Sequence, residues 1–245
     1  MIKSKNFVMI VCVSFIMATA LTFGVSQKPS IAENNSKISN KDIINKAGKV
    51  VKENLEELKK LTAALLKKTS DLTVAATIED MVTLSEEEFI YLKKMHAAHE
   101  TDKSDGYVFN VLIEEKIQFA EAEKRGLLPT EDEVTEYINK ERKLAEEAPE
   151  VLKELIVSLG LTEDEYWNVY ERFYATKIVL YSKLSEAFYK EAGLEIKDKP
   201  VTFELLESQK EHYKEFLQKL KNKAKVTISK EFKDFSYDKT VLTVN

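Results

Sequence analysis

Apolar positions recur at helical spacing through most of the chain, and short polar corners separate one run from the next. Phe109, Leu112, Ile113, Ile117 and Ala120 predict an amphipathic helix over about 107–125, closing on basic residues that suit its C-terminal dipole. Gly126 is the stop signal, because a glycine just past the last periodic residue can turn left-handed and close the final carbonyls. Pro129 keeps the helix from resuming at once. Thr130 restarts it as a capping box: its hydroxyl accepts from the Glu133 amide, the Glu133 carboxylate returns to the Thr130 amide, and Val134, Tyr137 and Ile138 form the new apolar face. The same device is expected in "TLSEEEF", with Ser85 and Glu88 and a Leu84–Phe89 staple. It recurs in "GLTEDEYW", with Thr162 and Glu165 and a Leu161–Tyr166 staple.

Ile44, Ala47, Val51, Leu55, Leu58, Leu61 and Leu65 predict a further amphipathic helix over 40–69 with a lysine-rich outer face, an addition that could serve as a stalk. Its heptad spacing is irregular, which favours packing on the domain over a long self-coiled coil. "TVAATI" (Thr73 to Ile78) reads as a short strand, and helices are expected to start at Ser85, Tyr107, Thr130, Thr162 and about Phe203. A shorter helix from Pro149 to Leu159 ends at Gly160. "AKVTI" (Ala224 to Ile228) reads as a strand able to pair with the first, and "TVLTV" near the end could add another. The fold class this predicts is mainly α, an irregular multi-helix bundle with a small terminal β element. With 44% apolar and 32% charged residues the chain should fold, and its six Gly and four Pro fit long helices better than a turn-rich sheet protein.

The beginning of the chain has a different pattern. Lys3 and Lys5 precede an uncharged run, "FVMIVCVSFIMATALTFGV", and "SIA" (Ser30 to Ala32) offers small residues where signal peptidase reads. Residues 1–32 are therefore expected to be a secretory signal peptide cut after Ala32, or, because the run is about as long as a bilayer core requires, an uncleaved anchor. Either leaves the rest outside the cytoplasm, as an extra helical segment over 33–72 and a main domain over 73–245. Cys12 lies inside the run without the small residues that should precede a lipidated cysteine. After cleavage no cysteine would remain, so disulfides and thiol catalysis are not expected. Loss of Lys3, Lys5 and Lys28 would set the 42 acidic side chains against about 34 basic ones, a net charge of about −8. Lysines alternate with glutamates on helix faces instead of forming a basic stripe, so nucleic acid is not expected as a partner.

Catalytic groups are sparse. Only His96, His99 and His212 occur, and no Ser-His-Asp set, Cys-His pair or Gly-rich phosphate loop is present. "HAAHE" places His96 and His99 three residues apart on a helix; a metallohydrolase on His96, His99 and Glu100 is conceivable, but the zinc-protease pattern needs histidines four apart around a glutamate. The acidic clusters "SEEE" and "TEDE" fit helix caps, since the ligand spacing and central Gly of a calcium loop are missing. No cofactor and no metal are expected.

The ordered set "VLIEEKIQFAEAEKRGLLPTEDEVTEYI", "LGLTEDEYW", a long helix, and "YKEFLQKLKNKAKVTI" resembles the N-terminal chaperone domain of the SurA and PrsA extracytoplasmic foldases, over about Val74 to Phe235. In that family a parvulin-type prolyl isomerase domain usually sits between the long helix and the final helix and strand. Here only "AGLEIKDKPV" (Ala192 to Val201) lies between them. The resemblance therefore implies a chaperone domain without its isomerase.

Binding surface is expected in the long helix, where Tyr166, Trp167, Tyr170, Phe173, Tyr174, Tyr181, Phe188 and Tyr189 cluster. These rings do not fit one helical face, since Trp167 and Tyr174 point away from Tyr166, Tyr170, Phe173 and Tyr181. Most are expected in the core, and the remainder could line a cradle for clients, because Tyr and Trp supply contact area with few rotors and a polar edge. The function expected is an extracytoplasmic, ATP-independent holdase for unfolded or nascent secreted polypeptides, without enzymatic activity. It could be tethered to the membrane by the N-terminal run, and a homo-oligomer is possible. The alternative is an envelope scaffold protein that assembles through the 40–69 helix.

Overall fold

The computed structural model describes residues 40–67, 71–99, 101, 103–195 and 203–240. The N-terminal apolar run, Glu100, the second half of "AGLEIKDKPV" and positions 241–244 of "TVLTV" lie outside the described residues. In chain order the helices are α1 (Asn40–Glu53), α2 (Leu55–Leu65), α3 (Glu86–Ala98), α4 (Asp105–Lys124), α5 (Glu131–Ala145), α6 (Pro149–Ser158), α7 and α8 (Phe203–Lys223). Helix α7 opens as Glu163–Glu165, is wound as a π-helix over Tyr166–Tyr170, and continues as α-helix over Glu171–Glu191. Strands β1 (Val74–Ile78), β2 (Val82–Ser85) and β3 (Val226–Ile228) form one antiparallel sheet in the order β2-β1-β3. The protein is an irregular, mainly helical bundle with a small sheet at one end. None of the described helices is long and apolar enough to cross a membrane.

Helix α4 is the axis of the bundle. The sequence predicts an amphipathic helix here, yet every residue from Val108 to Ala120 is buried, including Asn110, Glu114, Glu115, Lys116 and Gln118. The reason is tertiary: α3, α7, α8 and the β1–β2 hairpin all pack on it, so no face is left for solvent. Its polar side chains then fix its neighbours. The Asn110 amide donates to the Ser236 carbonyl (3.0 Å) and its carbonyl oxygen accepts from the Asp238 amide (2.6 Å), stitching the C-terminal segment down. Phe89, Phe109, Phe232 and Phe235 close that end, with Phe109 and Phe235 centred 4.8 Å apart.

The corners follow local rules. At the end of α4, Gly126 takes φ +68°, its amide bonds the Glu123 carbonyl and the Leu127 amide bonds the Ala122 carbonyl, so the helix closes as a Schellman motif. Gly160, φ +67°, with Leu161 ends α6 in the same way. The capping boxes at Thr130–Glu133 and Thr162–Glu165 are complete. That at Ser85 is only half formed: Ser85 Oγ accepts from the Glu88 amide, but the Glu88 carboxylate is drawn into the core by two lysines instead of returning to the cap.

Strand β2 is not foreseen by the sequence, because "VTLS" is too short to show alternation and merges with the Ser85 cap. Pairing with β1 creates it. Glu79 and Asp80 both adopt left-handed φ, at 55° and 57°, in the connecting turn. For side chains with a Cβ this costs roughly 1–2 kcal/mol per residue. The Glu79 carboxylate offsets part of that strain: it accepts from the Lys225 amide (2.8 Å) and from Lys124 Nζ (3.1 Å), which hold its carboxyl below the usual range.

The segment predicted as one helix over 40–69 is two, broken at Asn54, whose side-chain amide donates back to the Val50 carbonyl (2.6 Å) and whose carbonyl oxygen accepts from Lys94 Nζ (3.1 Å). Neither part projects as a stalk. Ala47, Val51, Leu58, Leu61 and Leu65 are buried in the same core as the other helices, so the apolar stripe that a self-coiled coil would use is already covered. At Gly48 the packing is backbone on backbone: a Cβ there would lie 2.5 Å from Leu159 Cα. In an isolated helix, alanine in place of glycine stabilises by about 1 kcal/mol. Here we expect Gly48→Ala to destabilise by about 1–3 kcal/mol, as overpacked sites do, measured by urea denaturation; an increase in stability would show that α1 is not seated on α6.

Candidate functional site

Three consecutive buried residues of α4 are charged, and each meets an opposite charge on a different helix. Glu114 accepts from Lys221 Nζ of α8 at 2.8 Å, Glu115 from Lys177 Nζ of α7 at 2.7 Å, and Lys116 pairs with Glu88 of α3 at 2.6 Å. Lys177 also lies 3.3 Å from Glu88, so Glu88, Glu115, Lys116 and Lys177 form a neutral buried quartet. Burial pushes the Glu88 carboxyl up, but Lys116 and Lys177 outweigh it and hold the group below its ordinary value. For Glu115 burial prevails over Lys177 and the carboxyl is raised. Burial works against the Lys177 ammonium, and Glu115 and Glu88 reverse it, so its proton is held more tightly than usual. The quartet is balanced in charge and its four side chains are nearly fully buried, an arrangement that fixes how α3, α4 and α7 sit against one another.

The aromatic cluster divides along α7. Tyr166, Trp167, Tyr170, Phe173 and Tyr174 are buried; Tyr174 and Tyr91 share a hydrogen bond between hydroxyls at 3.0 Å, and Phe173 stands edge-on to Tyr91. Tyr181, Phe188 and Tyr189 are half-buried. Phe188 stacks on Phe216 of α8 at 4.7 Å, and Tyr189 leans on Tyr213 at 6.0 Å. The division follows the ring contacts: Phe173 and Tyr174 are met by Tyr91 of α3, whereas Phe188 and Tyr189 meet Tyr213 and Phe216 of α8.

Two surface grooves remain beside these rings. The larger, about 750 Å³, lies where the last turns of α7, the start of the chain after α4 and the first half of α8 meet; Leu127, Ala187 and Tyr189 supply its apolar wall and Lys183, Glu186 and Lys190 its rim. Its frame is tied by Lys183, which donates to the Leu128 carbonyl (3.1 Å) and to the Glu133 carboxylate (2.7 Å), and by Gln209, which donates to the Leu194 carbonyl (2.7 Å). Sequence reasoning missed Leu127 and Ala187, since a leucine after a helix stop and one alanine among charges carry no functional signal. The second groove, about 510 Å³, runs between α5 and α6, with Leu152, Ile156 and Val157 on one side and Trp167 at the base. Val157 is 70% exposed, and Arg142 stacks over the Trp167 ring at 5.2 Å.

His96 and His99 lie at the end of α3. His96 is buried, its Nδ1 is 2.9 Å from Thr101 Oγ1, and its ring meets the edge of Tyr107. Burial, then Lys103 and His99, push its imidazole down to about 4. Burial lowers His99 as well. Among the described residues, no group of three or more His, Cys, Asp or Glu could hold a metal ion.

Compared with known proteins, the chain matches no family model, no curated protein and no solved structure. The class that fold and surface define is an irregular helical bundle with a small antiparallel sheet and two solvent-open apolar grooves.

Replacing Lys177 by Met leaves Glu115 buried beside no directly bonded cation, and we expect a loss of about 3–5 kcal/mol in chemical denaturation. Adding Glu115→Leu should recover part of that loss, since the remaining Glu88–Lys116 pair is neutral; no recovery would show that the quartet does not act as a unit. The depressed His96 imidazole favours the neutral form in the fold. Stability linked to it is complete above about pH 6.5 and falls as pH drops through about 4. Thermal melts of His96→Gln should show a shallower acid limb across that window than the wild type.

Proposed function

We propose that the protein is an extracytoplasmic, ATP-independent chaperone that holds unfolded or nascent secreted polypeptides and has no prolyl isomerase activity. The observation that carries this reading is the groove of about 750 Å³ at the open end of α7, walled by Leu127, Ala187 and Tyr189 and rimmed by charges of both signs. Such a site suits weak, sequence-tolerant contact: the apolar wall rewards any exposed apolar side chain, and mixed charges on the rim select for no single client charge. Its frame is fixed by the Gly126 corner and the Glu133–Lys183 bond, so a client would meet a preformed surface. The ordered corner, capped helix and final helix-strand unit support the reading through their resemblance to the SurA and PrsA chaperone domain, with the segment after Ala192 too short for an isomerase. In this reading the N-terminal apolar run directs export, and the chaperone works either released or tethered by it.

The five buried rings from Tyr166 to Tyr174 have a structural role, and the client contacts fall on Tyr189 with Phe188 and Tyr181 behind it. The scaffold alternative has less to draw on, since the apolar stripe of α1 and α2 is internal.

The test is light scattering of a denatured model protein during refolding, with the chain at stoichiometric amounts, beside a proline isomerisation assay. Suppression of aggregation is expected, with isomerisation at the uncatalysed rate. Ala187→Glu should weaken suppression several-fold while leaving the helical circular dichroism unchanged. No suppression by the wild type would remove the chaperone reading, and catalysed isomerisation would remove the claim that the catalytic module is missing.

A further inference from the structure

Beside the buried quartet lies a small cavity of about 10 Å³, lined by Leu65 of α2, by Glu115, Lys116 and Phe119 of α4, and by Lys177 and Tyr181 of α7. That is on the order of the room one water molecule needs. Its polar lining is incomplete. Glu115 is only 5% exposed; its Oε2 accepts from Lys177, but Oε1 is buried and meets no hydrogen-bond donor among the described residues. An ammonium carries three donors, and the buried Lys116 spends one on Glu88 at 2.6 Å. Burial first, then Glu115 and Glu88, push the Tyr181 phenol well above its ordinary value, so its hydroxyl keeps a proton to donate. One water-sized space is thus bordered by an acceptor without a donor, an ammonium with donors to spare, and a hydroxyl that can do either. The cavity also has an outer neighbour. A pocket of about 380 Å³ opens between the end of α2, the β1–β2 hairpin and α4, with Leu72, Met81 and Val82 on its walls, and it shares Leu65, Lys116 and Phe119 with the inner cavity. Met81 is exposed, so this outer pocket faces solvent.

We propose that the inner cavity is a binding site for one water molecule, which donates to Glu115 Oε1, accepts from Lys116, has Tyr181 as its further partner, and exchanges with solvent through the outer pocket past Leu65 and Phe119. Three hydrogen bonds are typical of a buried water, and such a water is costly to remove. The quartet becomes a network of five members: four side chains balance the charge, and the water supplies the hydrogen bond that none of them makes. Other occupants fit less well. An apolar group would leave Oε1 unpaired, and a cation would upset a quartet whose charges already cancel. Burial raises the Glu115 carboxyl despite Lys177, and a water donating to its second oxygen counters that by solvating the ionised form. Solvent then reaches the centre of the bundle one molecule at a time, without any helix moving away.

Two measurements decide the matter. A crystal structure of the purified protein, at a resolution that places ordered solvent, should show one density peak within about 3.2 Å of both Glu115 Oε1 and Lys116 Nζ. A dry cavity, or a peak out of reach of Glu115, overturns the site. In solution, oxygen-17 relaxation dispersion of water counts the long-lived bound molecules. The wild type should hold one more than the double variant Lys177→Met, Glu115→Leu, in which the unpaired oxygen is gone; equal counts overturn the site. The crystal result stands whether or not the double variant folds. Phe119→Leu thins the wall between the two pockets and keeps the acceptor, so it should retain the water and shorten its residence time several-fold. An unchanged residence time overturns the route through the outer pocket.

Discussion

Glu114, Glu115 and Lys116 stand side by side in the middle of α4, about 100° apart around the helix, and each ends on an opposite charge from a different neighbour. Desolvating these groups is expensive, and the pairs recover that cost only when α3, α7 and α8 sit in one particular rotation and register. Apolar packing alone would tolerate a helix slipped by a turn; a slipped helix here would strand a lysine or a glutamate in the core. The remainder of the architecture hangs on this arrangement, because α2 and α5 pack in turn on α7, and β1 and β2 lie against the far end of α4.

A fixed centre frees the periphery. The ends of α4, α6 and α7 are closed by Schellman turns or capping boxes that satisfy their own backbone groups, so the corners need no cover from other parts of the chain. Grooves can then remain open between helix ends without leaving buried donors or acceptors unpaired. The wall around Leu127 and Ala187 and the trough along Leu152, Ile156 and Val157 are of this kind. A binding role for them is compatible with the rigidity of the centre, since α7 gives its middle, through Lys177, to the quartet and its last turns to the larger groove.

The aromatic run of α7 shows how far residue type carries functional inference. Eight rings at mixed angles say that the helix is apolar over much of its circumference, but not which neighbours supply the cover. The rings of Tyr166, Trp167, Tyr170, Phe173 and Tyr174 are buried, while Tyr189, which meets Phe188 and Tyr213, keeps an open side on the groove. The same limit holds at Glu88. Written as the third residue of a capping box, it is a cap by local grammar, and the core lysines claim it instead because a buried ammonium without a carboxylate costs far more than a lost cap hydrogen bond.

By itself the sequence determined what depends on neighbours within a turn or two: the stops at Gly126 and Gly160, the starts at Thr130 and Thr162, the helical class, and the strands around Ala76 and Thr227 that proved to pair. These are set by φ preferences, by capping hydrogen bonds and by hydrophobic periodicity, all of which act over a few residues. Only the tertiary structure decided that α4 is buried on every side, that the 40–69 segment breaks at Asn54 and joins the core, that "VTLS" is a strand, and that Leu127 and Ala187 border a groove. Each of those depends on groups brought together from distant parts of the chain, and no spacing along the chain records the partner a buried charge or an uncovered ring will meet.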